Sequence, residues 1–350
     1  MNSSTSSSEA IAATEATETS WRRFSVFLVG LTVAAVLGVI AAAYVIDPYD
    51  TGRSLLFGRE GVRPQGPRTA NASRGRDPSF DAAIFGNSQI QLLSPDRLNK
   101  RTGFNFLQLA VPATGPKEHF VLIDWFLKHR KGPVKALVVD SDETWCTSDP
   151  EMPNFRPFPF WLYAANPVEY AKGLMRYDIL EELPRRFGYV FGKNPARARP
   201  DGYWDYEPDY LNLGYDTRPE VRARLEKPYF ASEPTFERDP KEGQRKFPVA
   251  DKLKALAESL PAETALIVVH PARYKSYLPP ERTEDGYLDK ACKAAMKAAL
   301  AGHPRSAVVD WRIDRPENHN PDYFFDLSHY RQPIAMAIEN DIVKALESLR

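Results

Sequence analysis

Cysteine is nearly absent. Cys146 and Cys292 are the only two in 350 residues, which excludes a disulfide framework and a cysteine-built zinc site. The two can pair in an oxidising compartment, but their spacing alone does not decide it. An excess of either charge is also missing: 46 Lys and Arg face 46 Asp and Glu. That balance gives no footprint of a nucleic-acid partner. No internal repeat is visible. Long apolar runs are missing too, with a single exception near the start.

From Phe24 to Ile46 the chain carries no charge for 23 residues. At 1.5 Å per residue such a helix spans a hydrocarbon core of about 30 Å. Arg22 and Arg23 precede it; Asp47 and Asp50 follow. The positive-inside rule then leaves the N-terminus in the cytoplasm and everything after Asp47 outside. "AAAY" offers a cleavage site, so a removable signal peptide is the competing reading. The length of the run and of the polar head before it favour a retained single-pass anchor. Residues 1–23, opening with a Ser/Thr/Ala/Glu-rich stretch, read as a disordered cytoplasmic head. Residues 47–78, rich in Gly, Pro, Arg and Asp, read as a tether.

What is present, at 43% hydrophobic and 12% aromatic, is enough apolar material for a sizeable core. Residues 79–350 form the main domain. Short apolar runs at 81–86, 105–110, 135–140, 264–270 and 306–311 read as strands, and helical patterns separate them. Strands this continuously apolar are buried on both faces. The expected fold class is therefore α/β: a three-layer α/β/α, doubly wound, five-stranded parallel sheet. Residues 141–262 break the alternation and read as a large, Pro- and aromatic-rich insertion after strand three. Ligands of such sheets gather beyond the carboxyl ends of the strands.

There "FDAAIFGNSQIQLLSPDRL" places Ser88 where strand one gives way to a helical pattern, which Pro95 disturbs. Ser88 is either the cap of that helix or a nucleophile at the rim. A nucleophile needs a base, and the base an orienting acceptor. Of six histidines, His329 in "FFDLSHYRQPIAM" stands out because Asp326 precedes it by three residues, within one tight turn. A structural Asp326–His329 pair at the start of the last helix is the competing reading. His119 and His129 fall within a helical pattern, His303 in a turn. Asp140 and Asp142 end strand three, as turn formers or pocket residues. His270 and Arg273 in "HPARY" sit at the rim of strand four. A metal set of His270, His319, Asp310 and Asp322 shows no diagnostic spacing. Trp161, Tyr163, Trp204, Tyr206 and Tyr210 are the insertion's own core or a surface for sugar rings.

An early Gly-Asn-Ser and a late Asp-x-x-His on a five-strand α/β pattern resemble the SGNH (GDSL-like) hydrolase superfamily. "YVIDPYD", "IFGNSQIQ" and "FFDLSHYR" are similar to its membrane-anchored, extracytoplasmic branch, which includes the alginate O-acetylation proteins and the teichoic-acid D-alanyl transfer protein. The likeness covers roughly residues 44–140 and 262–350, read from motif and context.

The resemblance implies a flavodoxin-like sheet with Ser88 as nucleophile, His329 as general base and Asp326 as its orienter. It implies an oxyanion hole from the amides of Ser88 and Gly115. Asn87, Asp140, Ser141, His270 and Arg273 are candidate substrate contacts. The family's third block brings an asparagine after strand three; here "VVDSDETWC" has none, with Ser141 or Thr144 as stand-ins. The implied activity is acyl transfer or ester hydrolysis on an envelope or secreted polysaccharide, at the outer face of a bacterial inner membrane and without a cofactor. A multi-pass membrane O-acyltransferase is the implied partner. A non-catalytic glycan-binding or scaffold subunit is the competing class.

Overall fold

The computed structural model describes residues 6–54, 66–147, 149–151, 156–193, 199–215, 217–230 and 234–350, with side chains from Ser20 onward in the first stretch. Five strands build one all-parallel sheet: β1 (Ala82–Phe85), β2 (Phe106–Gln108), β3 (Ala136–Asp140), β4 (Ala265–His270) and β5 (Ser306–Asp310). Their order is β2-β1-β3-β4-β5, with Phe85 beside Val139 and Asp140 beside Val269 in register.

Alternate residues of these strands enter two separate cores. Ala83, Phe85, Leu137, Val139, Leu266 and Val268 meet α4 (Pro116–Lys128), α10 (Pro248–Ser259) and α11 (Glu284–Ala299). Ile84, Val138, Ile267 and Val269 meet α3 (Pro95–Thr102) and α12 (Gln332–Ser348). Covering both faces lets the central strands be uniformly apolar, at roughly 1.5–3 kcal/mol per large side chain withdrawn from water.

The N-terminal helix α1 runs Ser6–Ile46. Its stretch Ser20–Ile46 is long and apolar enough to cross a membrane. Helix thus replaces the disordered head expected before residue 24 from Ser6 onward; Ala and Glu there are good helix formers and extend the apolar segment. The expected tether is also different where the structure describes it, since 55–65 lie outside the described residues. Asp47 and Asp50 are buried. Asp47 Oδ1 accepts from the Thr51 amide at 2.9 Å and the Tyr170 hydroxyl at 3.0 Å. Asp50 Oδ1 pairs with Arg76 at 2.8 Å and Arg186 at 3.0 Å. Then α2 (Pro67–Arg76) packs against α4. Its Asn71, in the sequon "NAS", is buried on the Leu109 carbonyl.

Between β3 and β4 lie short helices in two groups. α5 (Phe160–Tyr163), α6 (Pro167–Gly173) and α7 (Asp178–Val190) gather around Asp47–Arg53. α8 (Glu207–Asn212) and α9 (Pro219–Glu226) lie toward the chain's last loop. Cys146 and Cys292 are disulfide-bonded, with Cα atoms 5.5 Å apart, which ties the turn after β3 to α11.

Candidate active site

Ser88 does not open a helix. Residues after β1 form turns, with the Ile90 amide on the Asn87 carbonyl at 3.3 Å. The next helix, α3, is capped by Ser94, with Pro95 in its first turn. Pro95 therefore starts that helix rather than disturbing one begun at Ser88. Gly86 makes the turn possible. A Cβ there would lie 2.3 Å from Asp140 Cβ and 2.6 Å from Ile90 Cγ2.

The second half of the site is a short hairpin between β5 and α12. Phe324 and Tyr330 form an antiparallel bridge, and the Phe325 amide donates to the His329 carbonyl at 2.8 Å. From the loop after β4, the Tyr274 amide donates to the Leu327 carbonyl at 2.9 Å. This hairpin brings His329 to Ser88 from across the sheet. His329 Nε2 lies 2.9 Å from Ser88 Oγ, and Nδ1 lies 2.8 Å from Asp326 Oδ2. With Nδ1 facing a carboxylate, the proton sits there and Nε2 accepts the serine hydroxyl. Asp326 Oδ1 also accepts from the Ser328 amide at 2.9 Å and the His329 amide at 2.8 Å. Burial opposes its ionisation, yet His329 and these amides outweigh burial and hold the carboxyl below its ordinary range.

Opposite the hairpin stands the turn after β3. Asn87 Nδ2 donates to Asp142 Oδ2, and the Asn87 amide to Asp140 Oδ2 at 3.3 Å. Gln89 Nε2 donates to Glu143 Oε2 at 3.3 Å. The residues on either side of Ser88 are thus gripped by acids of one loop. Asp140 is fully buried, and burial followed by the neighbouring Asp142 pushes its carboxyl well above the usual range. Burial and then Glu143 push Asp142 up to about 6. Burial also opposes Glu143, but Arg273 beside it wins and keeps it low.

Three expected contacts are committed to partners within the protein. Gly115 caps α4, and its amide donates to Glu118 Oε2 at 3.0 Å. That donor is committed, so Gly115 fails as the second oxyanion amide; a carboxylate reaching back to a cap amide is the reason. Ser88 has no acceptor for its own amide among the described residues. Arg273 is buried on Glu143 rather than open to substrate. His270 is buried, and its Nδ1 lies 3.1 Å from the Ser141 carbonyl, which also receives Arg312. Burial and Arg312 push His270 down to about 4, so it is neutral. Thr144 Oγ1 donates to Asp142 at 2.6 Å, and the Ser141 hydroxyl has no partner among the described residues. Neither replaces the missing asparagine amide. Among the described residues, no three His, Cys, Asp or Glu side chains are placed to hold a metal.

The aromatic set divides. Trp161 and Tyr163 pack on Tyr49 and Trp125, away from the serine. Tyr206 and Tyr210 stand against the His329 ring, at 6.0 and 5.5 Å between centroids, and Tyr215 and Phe325 back Tyr210. Glu143 and the committed Glu118 are neighbours of the candidate site that motif reading passes over. Gly115-Pro-Lys-Glu118 carries the spacing of a capping box, and would have exposed the last of them. No protein-family model matches the chain, and no curated protein matches it.

Proposed function

We propose that this chain is an acyl-transfer or ester-hydrolysing protein of SGNH type. On this reading segment 141–262 is an insertion in a three-layer fold, α1 is a single-pass anchor with its N-terminus inside, and the domain faces the cell exterior. The observation that supports it is the relay of Asp326, His329 and Ser88, at 2.8 and 2.9 Å. Ser88 Oγ attacks the acyl carbonyl carbon and gives its proton to His329 Nε2. The carbonyl oxygen becomes an oxyanion beside the unoccupied Ser88 amide. Collapse expels the alcohol, which takes the proton from His329 and leaves an acyl-serine. A glycan hydroxyl or water, deprotonated by His329, then attacks the acyl carbon, and His329 returns the proton to Ser88 Oγ as the acyl–serine bond breaks. A membrane O-acyltransferase as donor, and a polysaccharide as acceptor, follow from the motif likeness and from the tyrosines beside His329.

The test is acetate release from an artificial acetyl ester by wild type, Ser88→Ala and His329→Ala. Each variant is expected to lose on the order of 10⁶-fold in rate; equal turnover in all three eliminates the relay. A second reading is favoured by the Gly115 amide bound to Glu118. A hole lacking one donor loses about 2.7–4 kcal/mol of transition-state stabilisation. A wild type that resists a serine-directed fluorophosphonate yet binds glycan would establish that non-catalytic role.

A further inference from the structure

The helices α5–α7 surround the base of α1. Ala43 and Ile46 of α1 are buried, and just beyond them Tyr170 of α6 and Arg186 of α7 hold Asp47 and Asp50. Above Ala43, residues 20–42 stand clear of the domain, at most half-buried at Ile40. Their charge-free part, the 19 residues from Phe24 to Ala42, makes a helix of about 28 Å, which matches a hydrocarbon core of about 30 Å. A bilayer crossed by α1 therefore ends at the level where α6 and α7 pack.

That same level carries an unusual surface. Six of the twelve exposed large apolar side chains outside α1, among the described residues, fall between Val168 and Phe191. Met175 is 65% exposed, Tyr177 75% and Leu180 52%. On α7 the buried positions are Ile179, Glu182, Arg186 and Tyr189, while Leu180, Phe187 and Phe191 share the outer face. A helix with an apolar stripe turned outward is built to lie in an interface plane. Within 167–193 five cations, Lys172, Arg176, Arg185, Arg186 and Lys193, stand against four carboxylates, Glu169, Asp178, Glu181 and Glu182. Charge supplies almost no net attraction, so apolar burial is the recognition.

We propose that the outward face of α6–α7 rests in the leaflet from which α1 emerges, with Val168, Met175, Tyr177 and Leu180 at the headgroup–acyl boundary. The proposal rests on the reading of α1 as a membrane span. It makes the domain a monotopic body seated on the surface as well as an anchored one. The continuity of this patch with the base of α1 selects lipid as the occupant. A multi-pass protein covering the same patch is the outcome that would replace it.

With Cys146 and Cys292 bonded, the chain has no free thiol, so one introduced cysteine is a unique labelling point. The full chain, carrying an environment-sensitive fluorophore at Val33→Cys, Met175→Cys, Leu180→Cys or Leu211→Cys, is placed in phosphatidylcholine nanodiscs. Some lipids carry a nitroxide near the headgroup, and in a second set the nitroxide lies deep in the acyl chain, where it reports on position 33. An interfacial helix sinks about 5–10 Å, so positions 175 and 180 should lose about half of their emission or more. Position 211, on α8, should keep it. Quenching should not increase when phosphatidylglycerol is added, and Tyr177→Asp should weaken it at position 180. Quenching at 33 with silence at 175 and 180 overturns the seated surface while leaving the span intact. Silence at 33 removes the span and the proposal together. Equal quenching at 211 also defeats the proposal, because the contact is then unspecific.

Discussion

Ser88 lies between two carboxylate environments that behave in opposite ways. On the hairpin side, Asp326 accepts the His329 ring and two amides and stays ionised below its ordinary range. On the β3 side, Asp140 and Asp142 are buried beside each other and their carboxyls are pushed up, that of Asp142 to about 6. The residue type is the same. Donors aimed at the oxygens make one a fixed negative charge, and burial beside a like charge makes the other a proton reservoir. On the proposed reading the first orients a base; the second positions the backbone and side chain of Asn87, next to Ser88.

Breaking the hairpin side should have the larger effect. Asp326→Asn is expected to lower acetyl-ester turnover about 10⁴-fold by presenting the wrong His329 tautomer, while the far-ultraviolet circular dichroism stays that of wild type. A loss under tenfold would make Asp326 a structural residue only. Asp142→Asn should cost far less, about tenfold, since a residue one step from the serine loses its charged acceptor; steady-state rates at neutral pH decide this.

The same comparison predicts stability slopes of opposite sign. Asp142 has a folded value above its unfolded one, so the native state holds the extra proton between about pH 4 and pH 6. Its contribution to stability falls as pH rises through that window, by on the order of 3 kcal/mol, and stays lost above it. Asp326 is lowered, so its contribution is present above the unfolded value and is lost as pH falls through the folded one. Urea titrations of the detergent-solubilised chain across pH 4–6 should show a downward trend that Asp142→Asn makes shallower, Asp140 still contributing, and that Asp326→Asn leaves in place. The smallest effect belongs to Thr144→Val. Its hydroxyl helps hold the Asp142 charge, so removing it should move that window upward by about one unit or less, read from the same titrations.

Much of this arrangement is legible in the sequence because it is encoded locally. The five strands announce themselves as short apolar runs, since β1–β4 are buried throughout and β5 is half-buried. Asp326 and His329 are three residues apart and one hairpin carries both. Ser88 follows a strand whose end must reach the rim. The errors share a different cause. A helical pattern running on from Ser88 hides the Ser94–Pro95 pair, which is where the helix starts. The motif position of Gly115 points to an oxyanion amide, while Glu118 three residues on claims that amide. Asp47 and Asp50 look like linker acids, and only long-range partners in α6 and α7 bury them. Such partners leave no periodicity to read. Nor does the sequence show that the tyrosines of α8 reach His329 while Trp161 and Tyr163 do not.

The last turn of α1 belongs to the domain's own core, and the acids just beyond it are clamped by Tyr170, Arg76 and Arg186. On the proposed reading, with α1 as the span and Ser88 as the nucleophile, the join has no leash: the serine works at one altitude above the bilayer, and a polymer is threaded past at that height to be modified. Lengthening the join with flexible residues at Pro48 would trade that fixed working distance for a search volume.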